Sequence, residues 1–394
     1  MSRIICHIDL NAFFVTCEVL RDPSLKGKPV IVGHTGRGGI VSTCSYEARA
    51  KGVHSGQPTF QALKCCPEAI VVAPHYKDYE VYSRSFFSYV RNYTQIIEVA
   101  SIDECYCDMT EALRGVKDPV AFLRDMQFEL YKRLGLTCSI GVAPTKWLAK
   151  MGSDMKKPMG LVFLRRRDLE KTLYPLPIES FWGIGKKTAP RLRAMGLTTI
   201  GELAKACQRD DEALMKELGK FYFTVKDWAL GKGSDVVHTE DEDPKSVGVS
   251  HTLMRDCVGF AEVESTLREL CDEVERRAAK EKKVGRGVTL HVKDTAFKAH
   301  SKTTGFDEPT RDAKHLFAAV SALYKAHYED LEVRLVGVTL EKLGEMAHES
   351  VQMSLWNYEQ YEEMDQTKLL IAELNRKLDK PVLTRASEAK KGRK

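Results

Sequence analysis

The N-terminal part of the chain alternates short apolar runs with stretches of helical spacing. Strands are predicted at 4–9, 30–33, 40–44, 95–100, 104–109 and 136–142, with helices over 46–51 and 118–133. A tight reversal around Ser101, Ile102 and Asp103 joins two of these strands. The segment after the first strand contains the two short strands at 30–33 and 40–44 and a helix. If this inserted segment counts as the first helix, the order of the elements is β-α-β-β-α-β. This is the order of a split βαβ, ferredoxin-like fold.

The remainder of the chain has two further patterns. Residues 165–231 have helical spacing interrupted by glycines, and an acidic run at 235–243 followed by Pro244 is typical of a linker. A second β-α-β-β-α-β order follows, with elements at 246–254, 259–281, 287–294, 297–304, 311–328 and 333–342. A last helix is expected near 366–378. The pattern as a whole predicts an α+β protein with more than one domain.

Composition excludes several classes of protein. The 394 residues are 43% hydrophobic, which rules out a wholly disordered chain and is enough for two to four domains. No apolar run approaches the roughly 20 residues of a membrane span, and no signal segment opens the chain. Eleven cysteines without a C-x-x-C pair indicate reduced thiols, so we expect a cytoplasmic protein.

Charge is patterned along the chain although the total is only +5. Residues 380–394 hold six basic side chains and one acid, so this tail alone accounts for the total. Within the rest, 151–200 has a net charge of +6, 235–243 of −5 and 276–302 of +7. Two basic segments separated by an acidic one are typical of a protein that grips a polyanion.

Three carboxylates follow or begin predicted central strands: Asp9, Asp103 and Glu104. In a split βαβ sheet the first and third strands are neighbours, so these acids are expected to converge at one end of the sheet. Packed carboxylates repel unless they are protonated or bridged by cations, and oxygen ligands suit Mg²⁺. The alternative is that they are solvated or paired with lysine, and the residues alone leave both interpretations open.

Five motifs occur in order along the chain, and together they resemble one family. They are His7-Ile-Asp9-Leu-Asn-Ala-Phe-Phe14, Ser45-Tyr46-Glu-Ala-Arg49-Ala-Lys-Gly52, Ser101-Ile-Asp103-Glu104-Cys-Tyr106, Ser139-Ile-Gly141-Val-Ala-Pro-Thr-Lys146 and Lys157-Pro-Met-Gly160. The chain resembles a Y-family translesion DNA polymerase, and most closely the DinB, or DNA polymerase IV, branch. The resemblance covers about residues 3–345, with a clamp-binding motif beyond.

The resemblance implies a right-hand polymerase with a ferredoxin-like palm, small fingers, a helix-hairpin-helix thumb and a βαββαβ little finger. The implied domains are a palm over 1–165 with fingers inserted at about 11–75, a thumb over 166–233, an acidic linker over 234–245, a little finger over 246–345 and a tail over 346–394.

The resemblance also implies roles for individual residues. Asp9, Asp103 and Glu104 would bind two Mg²⁺ ions, helped by the carbonyl of Leu10. Phe14 would be the steric gate that excludes a 2′-hydroxyl, while Phe13 packs in the core. The incoming triphosphate would be held by Thr43, Tyr46, Arg49 and Lys157. Asn11 stands where many relatives have another acid, and we expect this to alter local charge without abolishing activity.

DNA contacts are expected at two places, and a clamp contact at a third. Gly183 and Gly185 with Lys186 and Lys187 resemble the hairpin of a helix-hairpin-helix. A basic sheet face is expected to carry Arg286, Lys293, Lys298 and Lys302. The sliding-clamp motif of bacteria is matched by Gln352, Met353, Ser354, Leu355 and Trp356, although Trp replaces the commoner Phe. The ordinary alternative is a simple turn for the hairpin, a solvated helix end for part of the basic run and a chance match for the clamp motif.

The sequence therefore predicts a monomeric, template-directed and error-prone DNA polymerase without proofreading, which acts on primer-template DNA and dNTPs and is recruited by a sliding clamp. All eleven histidines are interpreted as structural or surface residues. Two rivals are a nucleotidyl cyclase on the same palm and a non-catalytic scaffold. A cyclase would leave the hairpin and the second β-α-β-β-α-β unit unexplained. A scaffold would not need three acids and a steric gate.

Overall fold

The computed structural model of the chain describes residues 3–240 and 243–345. It divides into two compact units, of which the first ends at Asp243 and the second begins at Pro244. The motif at 352–356, the helix predicted near 366–378 and the basic tail lie outside the described residues. Among the described helices, none is long and apolar enough to cross a membrane.

The first unit is built from short strands and mostly short helices. Its strands are β1 (Ile5–Leu10), β2 (Val30–Gly33), β3 (Val41–Cys44), β4 (Ile70–Val72), β5 (Ile97–Val99), β6 (Glu104–Asp108), β7 (Cys138–Ala143) and β8 (Leu161–Phe163). Its α-helices are α1 (Phe13–Arg21), α2 (Tyr46–Arg49), α3 (Thr59–Cys65), α4 (Tyr76–Val90), α5 (Pro119–Leu134), α6 (Lys146–Met155), α7 (Leu169–Thr172), α8 (Ala189–Ala194), α9 (Ile200–Gln208), α10 (Glu212–Leu218) and α11 (Phe221–Ala229).

A five-stranded sheet in the order β5-β6-β1-β7-β8 forms the centre of the first unit. Strand β1 runs antiparallel to both β6 and β7, so the prediction that the first and third strands of the split βαβ order are neighbours is confirmed. Strand β8 adds a parallel edge to β7 that was not predicted. A separate three-stranded sheet has the order β3-β2-β4.

The register of β1 against β6 decides which side chains meet at the end of the sheet. Asp9 is the ladder partner of Glu104, the first residue of β6, and Asp103 immediately precedes that strand. Ile8 and Cys105 form the next pair and are buried in the core. Because side chains alternate between the two faces of a sheet, Asp9 and Glu104 project from the face opposite that apolar pair.

Helix α6 was not among the predicted elements, although it packs on the central sheet. It follows Pro144 closely, contains Gly152 and precedes Pro158, so its sequence offers few helix-favouring signals. The Thr145 side chain nevertheless caps it by accepting a hydrogen bond from the Leu148 backbone N–H at 3.4 Å. Gly152 lies against Gly141 of β7, so close that a Cβ added at Gly152 would lie 3.1 Å from the Gly141 Cα. Two facing glycines thus bring the helix backbone onto the strand.

The second unit has the predicted β-α-β-β-α-β order. Its elements are β9 (Ser246–Cys257), α12 (Phe260–Lys280), β10 (Lys283–Asp294), β11 (Ala299–Thr310), α13 (Ala313–His327) and β12 (Val333–Glu345). The four strands form one sheet in the order β11-β10-β12-β9. Strand β10 begins four residues earlier than expected, because a register shift between Gly285 and Gly287 lets the ladder continue through the two glycines.

The prediction of one basic sheet face in this unit is wrong. Lys302 is paired with Leu290, which is fully buried beneath the helices, whereas Lys293 is paired with Ala299. Residues 290 and 293 have opposite parity, so Lys293 and Lys302 start from opposite faces of the sheet. Lys298 lies in the turn before β11, and the Arg286 guanidinium donates to the Asp307 carbonyl at 2.8 Å.

Candidate active site

A cavity of about 370 Å³ opens beside the end of β1. Its walls contain all but one of the residues predicted to bind metal or nucleotide, namely Asp9, Leu10, Phe14, Thr43, Tyr46, Arg49, Asp103 and Lys157. The exception is Glu104, which lies next to Asp9 on the neighbouring strand. Ser42, Ser55 and Ile102 also line the cavity and were not predicted. Residues from several separate sequence motifs therefore meet at one place.

Two lysines hold the acids together. The Lys150 ammonium lies 3.1 Å from an Asp9 oxygen and 2.7 Å from a Glu104 oxygen, and the lysine side chain is only 10% exposed. The Lys157 ammonium lies 2.9 Å from the other Asp9 oxygen and 2.8 Å from Asp154. The interpretation of the acids as lysine-paired residues is thus correct for Asp9 and Glu104. It does not apply to Asp103, whose carboxylate accepts a hydrogen bond from the Ser101 hydroxyl at 2.6 Å.

The environment separates the pKa values of these groups. Burial, and then the like charges of Asp9 and Glu104, raise the pKa of Asp103. The pKa of Glu104 is held well below its usual range by His7 and Lys150. Burial alone would lower the pKa of Lys150, but the surrounding carboxylates more than offset it, and its pKa is raised. Lys150 therefore stays charged and compensates two acids.

His7 is an unexpected neighbour of the acids. Its Nδ1 lies 2.8 Å from the Ser153 hydroxyl and its Nε2 lies 3.4 Å from Glu104. Together with Asp9 and Glu104 it forms a group whose ligand atoms lie within 4.8 Å of one another. Burial lowers the pKa of His7. A position buried next to two acids was not apparent in the sequence, where the histidines show no ligand spacing.

The cavity wall also presents groups that complement phosphate oxygens. The Arg49 guanidinium donates to the Cys44 carbonyl at 3.1 Å and to the Thr43 hydroxyl at 3.4 Å, and it lies 4.8 Å from the centre of the Tyr46 ring. The Tyr46 hydroxyl is buried and has no hydrogen-bond partner among the described residues. Burial raises the pKa of Tyr46, so the phenol is a neutral donor. The Tyr46 hydroxyl is thus a buried donor without a partner among the described residues, and it lies near the cations Arg49 and Lys157. This combination suits an anionic ligand.

Phe14 lies on the cavity with one face supported by another ring. The Tyr79 ring stacks on Phe14 with centroids 4.3 Å apart and planes at 13°, and Tyr76 meets Phe14 edge-on. Tyr79 in turn donates from its hydroxyl to Glu18, which also accepts from His75 Nδ1 at 2.9 Å. Phe13 is 2% exposed, which confirms its expected place in the core. A movement of the Phe14 ring toward Tyr79 would therefore disturb the hydrogen bonds that Tyr79 and His75 make to Glu18.

The predicted hairpin lies in a separate part of the first unit. Gly183 has a φ of +103°, and a Cβ there would contact the rings of Phe221 and Trp228 at 3.1 and 3.2 Å. Gly185 has open space around it, and Lys186 and Lys187 are exposed. A glycine is therefore required for the turn at 183, while the backbone at 185 is open to approach.

Comparison with known proteins agrees with this arrangement. The model of the impB/mucB/samB family matches residues 8–154, its C-terminal domain matches residues 244–355, and the helix-hairpin-helix motif of the same family matches residues 166–197. The chain is 35% identical over 385 residues to DNA polymerase IV of Oceanobacillus iheyensis, covering 97% of this chain and 91% of that protein. It is 36% identical over 398 residues to DNA polymerase IV of Bacillus velezensis, covering 99% and 94%.

The chain belongs to the DNA polymerase IV branch of the Y-family polymerases. It is accordingly a DNA-directed DNA polymerase of the translesion class and a metal-dependent nucleotidyltransferase. Solved structures agree on the fold. A Y-family polymerase chimera built on Dbh has a TM-score of 0.77 at 27% identity, covering 87% of this chain and 99% of the chimera. An insertion ternary complex of Dbh polymerase has a TM-score of 0.59 with the same identity and coverage.

Besides the lining residues Ser42, Ser55 and Ile102, the sequence analysis missed three residues that support the site, and each of them acts through another residue. Lys150 holds Asp9 and Glu104, His7 borders Glu104, and Tyr79 supports Phe14. The sequence contains no signal for Lys150. Its spacing of seven residues from Lys157 would place the two on one helix face only within a continuous helix, and α6 ends at Met155.

Replacing Lys150 by methionine is expected to make the fold more dependent on divalent cations. The substitution keeps the aliphatic stem but leaves Asp9 and Glu104 close together without their shared ammonium, which is costly for buried acids. The melting temperature should fall by several degrees in EDTA and rise more on addition of Mg²⁺ than it does in the wild-type protein. Differential scanning calorimetry in both buffers measures this.

The matched control is Lys132→Met, which removes an exposed lysine of a surface pair with Glu129. This control should show the wild-type response to Mg²⁺ because surface pairs contribute little. An equal Mg²⁺-induced shift in the Lys150 variant and the wild type would mean that Lys150 does not compensate the acids.

Proposed function

We propose that the chain carries out error-prone synthesis across damaged template positions, adding deoxynucleotides to a primer 3′-hydroxyl with two Mg²⁺ ions, without proofreading and with recruitment by a sliding clamp. The observation that carries this proposal is the cavity in which Asp9 and Asp103 meet the phosphate-complementary side chains and Phe14, with Glu104 next to Asp9 on the neighbouring strand. Family membership supports it, because the Dbh relative is described as an insertion ternary complex.

The acids at the end of β1 fit Mg²⁺. They supply hard oxygen donors from Asp9, Asp103 and Glu104, with Leu10 on the same wall. The pKa of Asp103 is raised first by burial and then by the like charges of Asp9 and Glu104, and a bound cation would offset both effects. When bound, two such ions would lower the pKa of the attacking hydroxyl and stabilise the negative charge on the attacking and leaving oxygens.

The chain's own side chains would bind and orient the triphosphate. The Arg49 guanidinium is already held by backbone and hydroxyl oxygens, so little rotamer freedom is lost when it meets a phosphate. The Tyr46 hydroxyl has a free donor, and the Lys157 ammonium can exchange an Asp9 oxygen for a phosphate oxygen. Positioning and charge stabilisation of this kind account for most of the acceleration in phosphoryl transfer.

Low fidelity is proposed from the size of the side chains around the cavity. Ser42, Thr43 and Ser55 are small, so this part of the wall offers little steric check on the shape of a base pair. An enzyme discriminates between substrates by their relative transition-state binding, and a loose wall reduces that difference. Damaged or mispaired bases would therefore be accepted more readily than in a tight pocket.

Contacts with DNA outside the cavity are proposed for the Gly183–Lys187 hairpin and for the half-buried Lys293 of the second unit. The open backbone at Gly185 and the exposed Lys186 and Lys187 suit a phosphate, and so does Lys293 on the face of the sheet away from the helices. Such contacts position the duplex without reading its sequence. They should make binding weaken steeply with salt concentration.

Primer extension tests the proposed function directly. The purified chain with Mg²⁺ and dNTPs should extend a primer on an undamaged template and past an abasic site, and it should leave a mismatched 3′ end unexcised. Fidelity is measured by single-nucleotide incorporation of correct and incorrect dNTPs on the same template. Extension that stops at the abasic site, together with strong rejection of incorrect dNTPs, would contradict the translesion and error-prone parts of the proposal.

Clamp recruitment is proposed from the sequence Gln352–Trp356, which lies outside the described residues. A glutamine followed by Leu355 and an aromatic residue matches a short anchor that binds an apolar pocket. The double variant Gln352→Ala, Leu355→Ala should lose stimulation by a bacterial sliding clamp loaded on the primer-template. Processivity with and without the clamp is the measurement.

The same double variant should extend primers as well as the wild type when no clamp is present. A matched control is Gln360→Ala, Tyr361→Ala, which removes a glutamine and a large side chain just after the motif. This control should keep its stimulation by the clamp. Full clamp stimulation of the first double variant would show that the motif is not the anchor.

A further inference from the structure

Asn11 is a buried side chain that links the metal-binding strand to a loop. It is 2% exposed and follows β1 directly. Its Nδ2 donates to the Ser139 hydroxyl on β7 at 2.9 Å, and its Oδ1 accepts from the backbone N–H of Met159 at 2.8 Å. Met159 belongs to the loop between α6 and β8, two residues after Lys157. The asparagine therefore connects that loop to the sheet beside Asp9.

The loop at Met159 and Gly160 is held at every backbone polar group. The Met159 carbonyl accepts from Arg124 at 2.7 Å, and the Gly160 N–H donates to the Ser139 hydroxyl at 3.1 Å. The Gly160 carbonyl accepts from the buried Gln127 side chain at 3.0 Å. The Gly160 carbonyl also accepts from the Ile140 backbone N–H at 2.9 Å, and Asn11 supplies the bond to the Met159 N–H. A loop so fully bonded has one position relative to the sheet.

The backbone of this loop needs such bonds. Met159 has a φ of +57°, a left-handed conformation that a residue with a side chain adopts only when its surroundings impose it. Lys157 stands two residues earlier, with its ammonium 2.9 Å from Asp9 and on the wall of the cavity. If the loop relaxed toward an ordinary φ, the starting point of the Lys157 side chain would shift relative to Asp9.

The Ser139 hydroxyl explains why an amide is sufficient at position 11. Its oxygen accepts from both Asn11 and Gly160, so its own hydrogen is not needed in this network. An aspartate at position 11 could accept from the Met159 N–H and also from Ser139, whose hydroxyl would rotate to donate. Either side chain completes the same set of bonds, whereas alanine removes two of them. The asparagine therefore changes the local charge but not the connection.

We propose that Asn11 is a positioning residue that fixes the Lys157–Gly160 loop, so that Lys157 is presented to the phosphates of the incoming nucleotide. The inference rests on the proposed function, in which Lys157 binds those phosphates. It assigns Asn11 no contact with the nucleotide and no role in metal binding.

A double-mutant cycle with Lys157 tests this role. At saturating primer-template, Asn11→Ala should raise the KM for dNTP by about tenfold, and Lys157→Ala should raise it by at least as much. The double variant should behave like Lys157→Ala alone, because a misplaced loop has no effect once the lysine is absent. Asn11→Asp should stay within about threefold of the wild type. The control Asn92→Ala removes an exposed asparagine that does not line the cavity, and it should change nothing.

Ser139 provides a second, independent variant. Ser139→Ala removes the hydroxyl that receives both Asn11 and Gly160, so it should raise the KM like Asn11→Ala, and the two substitutions should not be additive. Asn11→Asp should lose its wild-type behaviour in the Ser139→Ala background, because the aspartate then has no hydroxyl donor.

Amide hydrogen exchange of the metal-free and nucleotide-free protein gives a readout apart from activity. Exchange at Met159 and Gly160 should be about tenfold faster in Asn11→Ala and unchanged in Asn11→Asp and Asn92→Ala. A wild-type KM and wild-type exchange in Asn11→Ala, or additive effects in the cycle, would overturn the inference while leaving the role of Lys157 intact. If Lys157→Ala leaves the KM unchanged, the proposed role of Lys157 fails, and the exchange rates alone decide whether Asn11 holds the loop.

Discussion

Replacing Asp103 by asparagine is expected to reduce the rate of nucleotide incorporation by about a thousandfold or more, which corresponds to the several kcal/mol that bound metal ions contribute to phosphoryl transfer. Among the described residues, Asp103 is the acid of the site without a lysine partner, and burial and like charge raise its pKa. It therefore gains most when a cation binds. Pre-steady-state incorporation of one dNTP under saturating Mg²⁺ measures the loss.

The matched control for this prediction lies on the same strand. Asp108→Asn changes an acid at the other end of β6 whose side chain accepts from the Thr110 backbone N–H at 2.9 Å, a bond that an asparagine oxygen preserves. It should leave the incorporation rate unchanged, and both variants should bind primer-template DNA like the wild type. Equal rates for Asp103→Asn and the wild type would remove Asp103 from the metal site and weaken the two-metal proposal.

The convergence of the acids could be predicted from the sequence because it depends on strand order alone. Once Asp9 ends one strand and Glu104 begins another, a split βαβ order makes those strands neighbours, and their register brings the two acids opposite each other. The reversal at Asp103 adds the third acid. Strand order did not locate the phosphate-complementary residues. They were predicted only from the family resemblance, because no local pattern places Arg49 or Lys157 near Asp9.

The lysine between the acids could not be predicted in this way. Lys150 lies on a helix whose own sequence gives weak signals, and its partners are 141 and 46 residues away. A long side chain with an exposed or a buried end has the same sequence signature, so only the packing of α6 on the sheet reveals its target. Tyr79 and Glu18, which support Phe14 through a stacked ring and a buried hydrogen bond, are 61 residues apart for the same reason.

The prediction of one basic sheet face was wrong for a different reason. Side chains alternate between the two faces along a strand, so neighbouring positions belong to opposite faces. Which face a strand residue occupies depends on its register against the neighbouring strand, and a shift of one residue reverses the assignment. Clustering of lysines along the sequence did not contain that information, so Lys293 and Lys302 were placed together although the ladder separates them. Strand existence was predicted correctly there, while strand bounds and faces required the structure.

Replacing Phe14 by alanine is expected to raise the use of ribonucleotides relative to deoxynucleotides by about a hundredfold. The ring lies on the cavity wall and is stacked on Tyr79, which is fully buried, so it cannot retreat to make room for an additional hydroxyl. Alanine removes the obstacle without adding a contact to the extra oxygen. The measurement is the ratio of kcat/KM for a ribonucleotide and the matching dNTP on one primer-template.

The predicted signature of Phe14→Ala is a gain for the ribonucleotide, with a smaller loss for the dNTP from the missing ring contact. A general loosening of the fold would lower both values, and the melting temperature would report it. Phe128→Ala, which removes a phenylalanine that is 61% exposed on α5, should leave the ratio unchanged. If Phe14→Ala lowers dNTP use while the ratio stays at its wild-type value, Phe14 stabilises the pocket but does not select the sugar. In that case the exclusion of the 2′-hydroxyl has to come from another part of the wall.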